Sequence, residues 1–111
     1  MIRRLEVHYR DRARSDLDDI FWHIALSGGN PQTALSYVQR VEARCQRLAD
    51  APRSGRTRDD LLDGLRTVPF ERSVLICYTV GEDRIWITNI FRHGRDVDAY
   101  FGRAPQTPGQ P

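Results

Sequence analysis

The stretch Arg92-His93-Gly94-Arg95-Asp96 places an imidazole between guanidinium groups, with a carboxylate behind them, shortly after the apolar run "IWITN". An imidazole with an ordinary pKa of ~6.5 suits proton transfer. Cutting RNA through its 2′-hydroxyl needs a base, an acid for the leaving oxygen and positive charge for the phosphorane-like transition state. In this sequence Glu71 could be the base, His93 the acid and Arg66 the cation. The same closing residues also suit a contact surface, because arginine is easily kept solvated at the end of a strand and is preferred at interfaces. A third reading is purely structural: Asp96 pairs with Arg92 or Arg95, and His93 bonds a backbone carbonyl to close the strand.

The charge inventory narrows these options. All 17 basic side chains are arginine and none is lysine, against 15 acidic ones, for a net charge of +2. Arginine stays protonated, so these groups can clamp phosphates or carboxylates but cannot act as neutral bases. A net charge this small does not argue for nucleic-acid binding by itself. Cys45 and Cys77 sit inside apolar patterns without metal-ligand spacing, which predicts buried, reduced thiols and no metal or cofactor site. No apolar run approaches the roughly 20 residues that span a bilayer, and "MIRRLEVHYR" lacks a signal-peptide core, so a soluble, cytoplasmic chain is expected.

The elements that must position these residues follow from periodicity. "RLEVHY" alternates Leu5, Val7 and Tyr9 with polar neighbours, as a half-buried strand does. From Asp11, a potential cap, Ala13, Leu17, Ile20, Phe21 and Ile24 recur at helical spacing until "SGGN" ends the helix. Asn30 and Pro31 open a second helix whose apolar stripe is Ala34, Tyr37, Val38, Val41, Cys45 and Leu48. So short a turn predicts an antiparallel helical hairpin. A charged, turn-rich connection comes next, with Leu61 and Leu62 tucked under the core at its far end.

Residues 64–70, 72–80 and 84–92 then read as strands, the last two joined by a turn at 81–83. Strict alternation sets Ile85, Ile87 and Phe91 against Trp86 and Ile90; with both faces apolar, the two long strands should be central. Pro69 places the strand before them at an edge or bulge. "VDAYF" can make a helical turn that packs Tyr100 and Phe101. The expected fold is α+β: an N-terminal strand, a helical hairpin, then a three-stranded antiparallel meander forming one small sheet. One domain over residues 1–101 and a flexible tail over 102–111 complete this expectation.

Several strings together resemble a known family. Asp16-Leu17 with Ile20 and Trp22, then "LADAPRSGR", "GLR" and the closing His93-Gly94-Arg95-Asp96 are similar, in order and spacing, to the RelE/ParE superfamily of bacterial toxins, most of all its ParE branch. The resemblance runs from about Arg4 to Asp96 and implies the same fold. It brings two rival activities. RelE-type members are ribosome-dependent mRNA endonucleases, whereas ParE-type members are non-enzymatic inhibitors of DNA gyrase; both are silenced by a small antitoxin, ParD in the ParE case, through which alone the complex meets operator DNA. A decayed or purely regulatory module that poisons nothing is a third possibility.

Relatives that cleave use a glutamate, a histidine at the end of the last strand and an arginine three residues before a tyrosine of the penultimate strand. Tyr78 matches that tyrosine, so the arginine position falls on Leu75. Another cleaving pattern relies on lysines, which this chain lacks. The resemblance therefore implies a binder without catalytic residues, with Arg92, His93, Arg95 and Asp96 as the target-contacting set. His93, Arg66 and Glu71 are the fallback catalytic set if the chain is a nuclease.

On the antitoxin side, Arg40, Arg44 and Arg47 fall at i, i+4 and i+7, a basic stripe beside the apolar face of the second helix. An acidic amphipathic segment that folds on binding would complement it, with Trp22 as a further docking point or else a core residue. Alternatively the stripe pairs within the chain, with Glu42, Asp50 or the Asp16, Asp18 and Asp19 cluster.

Overall fold

The computed structural model describes residues 4–92 and 97–102. The segment 93–96, with His93, Arg95 and Asp96 of the expected target set, and the expected tail from 103 onward lie outside the described residues. Strand β1 (Glu6–Tyr9) leads into helices α1 (Asp11–Leu26) and α2 (Pro31–Arg47). Strands β2 (Arg56–Thr57), β3 (Arg66–Phe70), β4 (Val74–Val80) and β5 (Arg84–Arg92) come next, then helix α3 (Val97–Gly102). They form a five-stranded sheet in the order β1-β5-β4-β3-β2, so the two long strands are indeed internal. β1 adds in parallel to β5 while the other pairings are antiparallel, and β2 is a short extra strand beyond the expected meander. β2 covers only Arg66 and Thr67 of β3, which leaves an open edge at Pro69, whose ring lacks a ladder donor.

The helical hairpin follows its capping chemistry. Asn30 Oδ1 accepts from Thr33 N at 2.8 Å and Pro31 occupies the first helical position. At the start of α1 the cap position falls to Arg10, without a side-chain bond, so Asp11 is the first helical residue rather than the cap. Its carboxylate still opposes the positive end of the helix dipole. Gly28 turns the chain out of α1 at φ 94°, a conformation that favours glycine.

One sheet face carries the main core, in which Ala13, Leu17 and Ile20 of α1 and Tyr37, Val41 and Cys45 of α2 pack on the helix-facing residues of β3, β4 and β5. The other face carries a second cluster of Leu65, Cys77 and Phe101, joined by Leu61, Leu75, Phe91 and Val97. Leu62, expected to tuck in beside Leu61, is 44% exposed. Strict alternation also fails along β5. Tyr78 opposes Ile87 but Cys77 opposes Asn89, leaving Thr88 unmatched in a β-bulge. The extra residue reverses the facing of the rest of the strand, so Ile90 joins Ile85 and Ile87 in the main core, and Phe91 turns to the second cluster.

Asp16 of α1 sits against this region and accepts from the Ile90 amide at 2.8 Å, pinning the helix to the strand just past the bulge. Across the far face lies α3, where Phe91, Tyr100 and Phe101 meet edge to face. Arg58 donates to both Asp60 oxygens and to Asp98, each at 2.9 Å, tying the segment after β2 to this short helix.

Candidate functional site

Of the three fallback catalytic positions His93 lies outside the described residues, and the other two, Arg66 and Glu71, do not come together. Arg66 and Glu71 lie at the two ends of β3, five residues apart, which is roughly 17 Å along an extended strand. Arg66 faces inward along the sheet edge, where its Nη1 donates to the carbonyls of Arg53 and Gly55 at 3.0 and 2.9 Å. Glu71 is held from the other side by Arg40, which donates from Nε at 3.1 Å and Nη2 at 3.0 Å. That hydrogen-bonded pair holds the Glu71 carboxyl below its usual range, the opposite of what a general base near neutral pH requires. Leu75 packs, partly buried, against the second apolar cluster with Phe101 and Phe91.

Arg66 belongs to a clamp that no local pattern in the sequence discloses. Tyr78 is fully buried, and its hydroxyl donates to Pro52 O and accepts from Gly55 N, both at 2.9 Å. A Cβ at Gly55 would lie 2.5 Å from that hydroxyl, so only glycine fits. Together Arg66 and Tyr78 satisfy the backbone of the turn at 52–55, which explains why "APRSGR", "GLR" and a strand tyrosine occur together.

The hairpin surface is laid out as two patches. Trp22 is 58% exposed on the outer side of α1, one turn before the still more exposed Leu26, so it is not core. Arg44 and Arg47 form no ion pair among the described residues, while Arg40 is engaged by Glu71 rather than by the acids expected to neutralise the stripe. Asp50 instead pairs with Arg4, and Asp16 with Arg12. Because the helices run antiparallel, Trp22 lies level with the start of α2, roughly 15 Å along the axis from the arginines near its end. A partner touching both must span that length.

At the remaining end of the sheet Arg92, the described member of the target set, donates from Nη1 to His23 Nδ1 at 3.1 Å. Beside them a cleft of about 280 Å³ opens between the helices and β4. Its residues His23, Tyr37 and Ser73 had no functional signal in the sequence beyond a polar tip on Tyr37 within an apolar stripe. Cys45 and Cys77 are buried free thiols, and burial pushes them up to about 11 and about 12. Among the described residues no group of three or more His, Cys, Asp or Glu is placed to hold a metal ion, and no helix is long and apolar enough to cross a membrane.

The family model for the ParE toxin of type II toxin–antitoxin systems, parDE, matches residues 7–97. The chain belongs to the ParE toxin family. A solved structure of the chromosomal ParDE toxin–antitoxin system from P. aeruginosa is similar at a TM-score of 0.69 and 27% identity, over 79% of this chain and 95% of that one. The solution structure of the conserved hypothetical protein HP0894 from Helicobacter pylori shares 14% identity at a TM-score of 0.45, over 82% of this chain and 97% of that one. No curated protein matches. In this ParE-family chain the strings that carried the resemblance have structural duties: Asp16 pins α1 to β5, and the Arg66 and Tyr78 clamp fixes the turn before β2.

Proposed function

We propose that this chain is a toxin that inhibits DNA gyrase by binding, without catalysis of its own, and that a ParD-like antitoxin neutralises it. The observation that carries the non-enzymatic reading is the position of Leu75, partly buried against the apolar cluster of Leu65, Cys77 and Phe101, where a cleaving relative places its phosphate-binding arginine. Arg66 does not take that arginine's place, since it is bound to loop carbonyls, and Glu71 is bound to Arg40. Electrostatic stabilisation of the transition state is commonly the largest catalytic term, so a site lacking it has little to offer RNA cleavage.

Target contact is assigned to Arg92, His93, Arg95 and Asp96, which cluster in sequence at the exit of β5. Antitoxin contact is assigned to Trp22, Arg44 and Arg47, with Arg40 at their margin through its pair with Glu71. A flexible acidic segment that folds on binding can bridge these patches, as coupled folding commonly wraps large surfaces. Operator DNA is then met only through the antitoxin, within the cytoplasm. The test is a gyrase supercoiling assay with purified toxin: inhibition that added antitoxin relieves is expected, and undiminished supercoiling at high toxin excess contradicts the reading.

A further inference from the structure

The cleft beside Arg92 has walls of Ile20, Ile24 and Val74, and its polar lining comes from His23, Tyr37 and Arg92. Tyr37 is only 9% exposed, and its hydroxyl is buried with no hydrogen-bond partner among the described residues. Ser73, which also lines the cleft, is near enough to influence the phenol but outside hydrogen-bond geometry, and its own hydroxyl donates to Glu71 O at 3.0 Å. An orphaned buried hydroxyl is costly to keep, and a phenylalanine would occupy the same space without that cost. Arg92 spends one donor on His23 and has no acid opposite it among the described residues. Among the described residues no aspartate or glutamate lines the cleft. Among the described residues the phenol has no acceptor and the guanidinium no acid, and the charge complement of the pair is a carboxylate.

We propose that this cleft receives one apolar side chain of the antitoxin together with an adjoining carboxylate that accepts hydrogen bonds from Tyr37 Oη and Arg92. The proposal rests on the antitoxin reading above. At about 280 Å³ the cleft has room for one apolar side chain with an adjoining carboxylate delivered by a peptide. The apolar group displaces water from Ile20, Ile24 and Val74, while the carboxylate satisfies the donors. Seated there, the antitoxin covers Arg92, so neutralisation and target contact compete for the same guanidinium.

Two variants test this against the purified ParD-like antitoxin in a binding titration, with thermal unfolding and gyrase inhibition measured alongside. Tyr37→Phe is expected to melt at or above the wild-type temperature and yet bind antitoxin on the order of tenfold more weakly, the worth of one hydrogen bond to a charged group. A residue with a merely structural role would not give that split. Ser73→Trp, which fills the cleft, should weaken binding further; if it does not fold, Tyr37→Phe alone decides. Wild-type affinity in Tyr37→Phe overturns the proposal and leaves the antitoxin reading standing. Loss of gyrase inhibition with antitoxin binding intact makes gyrase the occupant and likewise overturns it. Failure of the wild-type toxin to bind antitoxin sinks the reading beneath, and the proposal with it.

Discussion

Arg40 of α2 grips Glu71, in the turn after β3, with two hydrogen bonds of 3.1 and 3.0 Å, joining residues 31 apart. The pair fastens the helical hairpin to the β3–β4 turn, where Glu71 and Arg72 both adopt positive φ, of 51° and 57°. It also withdraws the carboxylate from proton transfer and one guanidinium from the basic stripe. The arginines of α2 left without an ion pair among the described residues are therefore Arg44 and Arg47.

This pairing sets a pH dependence. Glu71 is held below its ordinary value of 4.5, chiefly by its hydrogen bonds from Arg40, so the pair's stabilisation is fully present above about pH 4.5 and is lost as pH falls through the lowered value. Glu71→Gln should melt slightly below wild type at neutral pH, and the two melting curves should converge in acid. A gap that stays constant down to pH 2 would show that the charge contributes nothing.

The turn clamp predicts a larger effect. Tyr78→Phe strands Pro52 O and Gly55 N and should cost about 1–3 kcal/mol in urea unfolding. Gly55→Ala forces a methyl against the same hydroxyl and should cost a similar 1–3 kcal/mol. Because they share one contact, the double variant should lose less than the sum of the two. Strict additivity would mean that they act independently.

Charge reversal of Arg44 and Arg47 together, to glutamate, should weaken antitoxin binding by on the order of tenfold, at up to about 1 kcal/mol for each exposed pair. The deficit should shrink at high salt, where exposed charges are screened. An unchanged affinity at low salt would remove this patch from the interface.

The thiols offer a test of packing. With Cys45 pushed up to about 11 and Cys77 to about 12 by burial, neither forms thiolate near pH 8, and both are shut away from solvent. A thiol reagent at pH 8 should leave the folded chain unlabelled and modify both cysteines once it is denatured. Rapid labelling of either in the folded state would contradict the core as described.

Much of this architecture is legible in residue order, for local reasons. Asn30-Pro31 and the glycines after α1 punctuate the helices through backbone chemistry, and the double-sided apolar pattern of β4 and β5 marks internal strands. The features that escape depend on long-range pairing. Alternation cannot reveal that Thr88 is unmatched, so it places Ile90 and Phe91 on the wrong faces. The partner of Arg40 lies 31 residues away in a turn, beyond any helical-spacing rule, and acids nearer in sequence are the obvious guess. Arg66 reads as a spare cation because nothing local discloses that it ends on two carbonyls. For the same reason the cleft at Tyr37 is invisible in the sequence: its walls come from α1, α2, β4 and β5.

The central claim is that this toxin acts by docking and not by cutting. The most direct measurement maps transcript ends by primer extension in a purified translation system, with wild-type toxin and with His93→Ala. Docking predicts the same ends with and without toxin, for both proteins. Ribosome-dependent cuts made by the wild type and reduced about 10²- to 10⁴-fold by His93→Ala, the range expected for a lost proton-transfer catalyst, would contradict it.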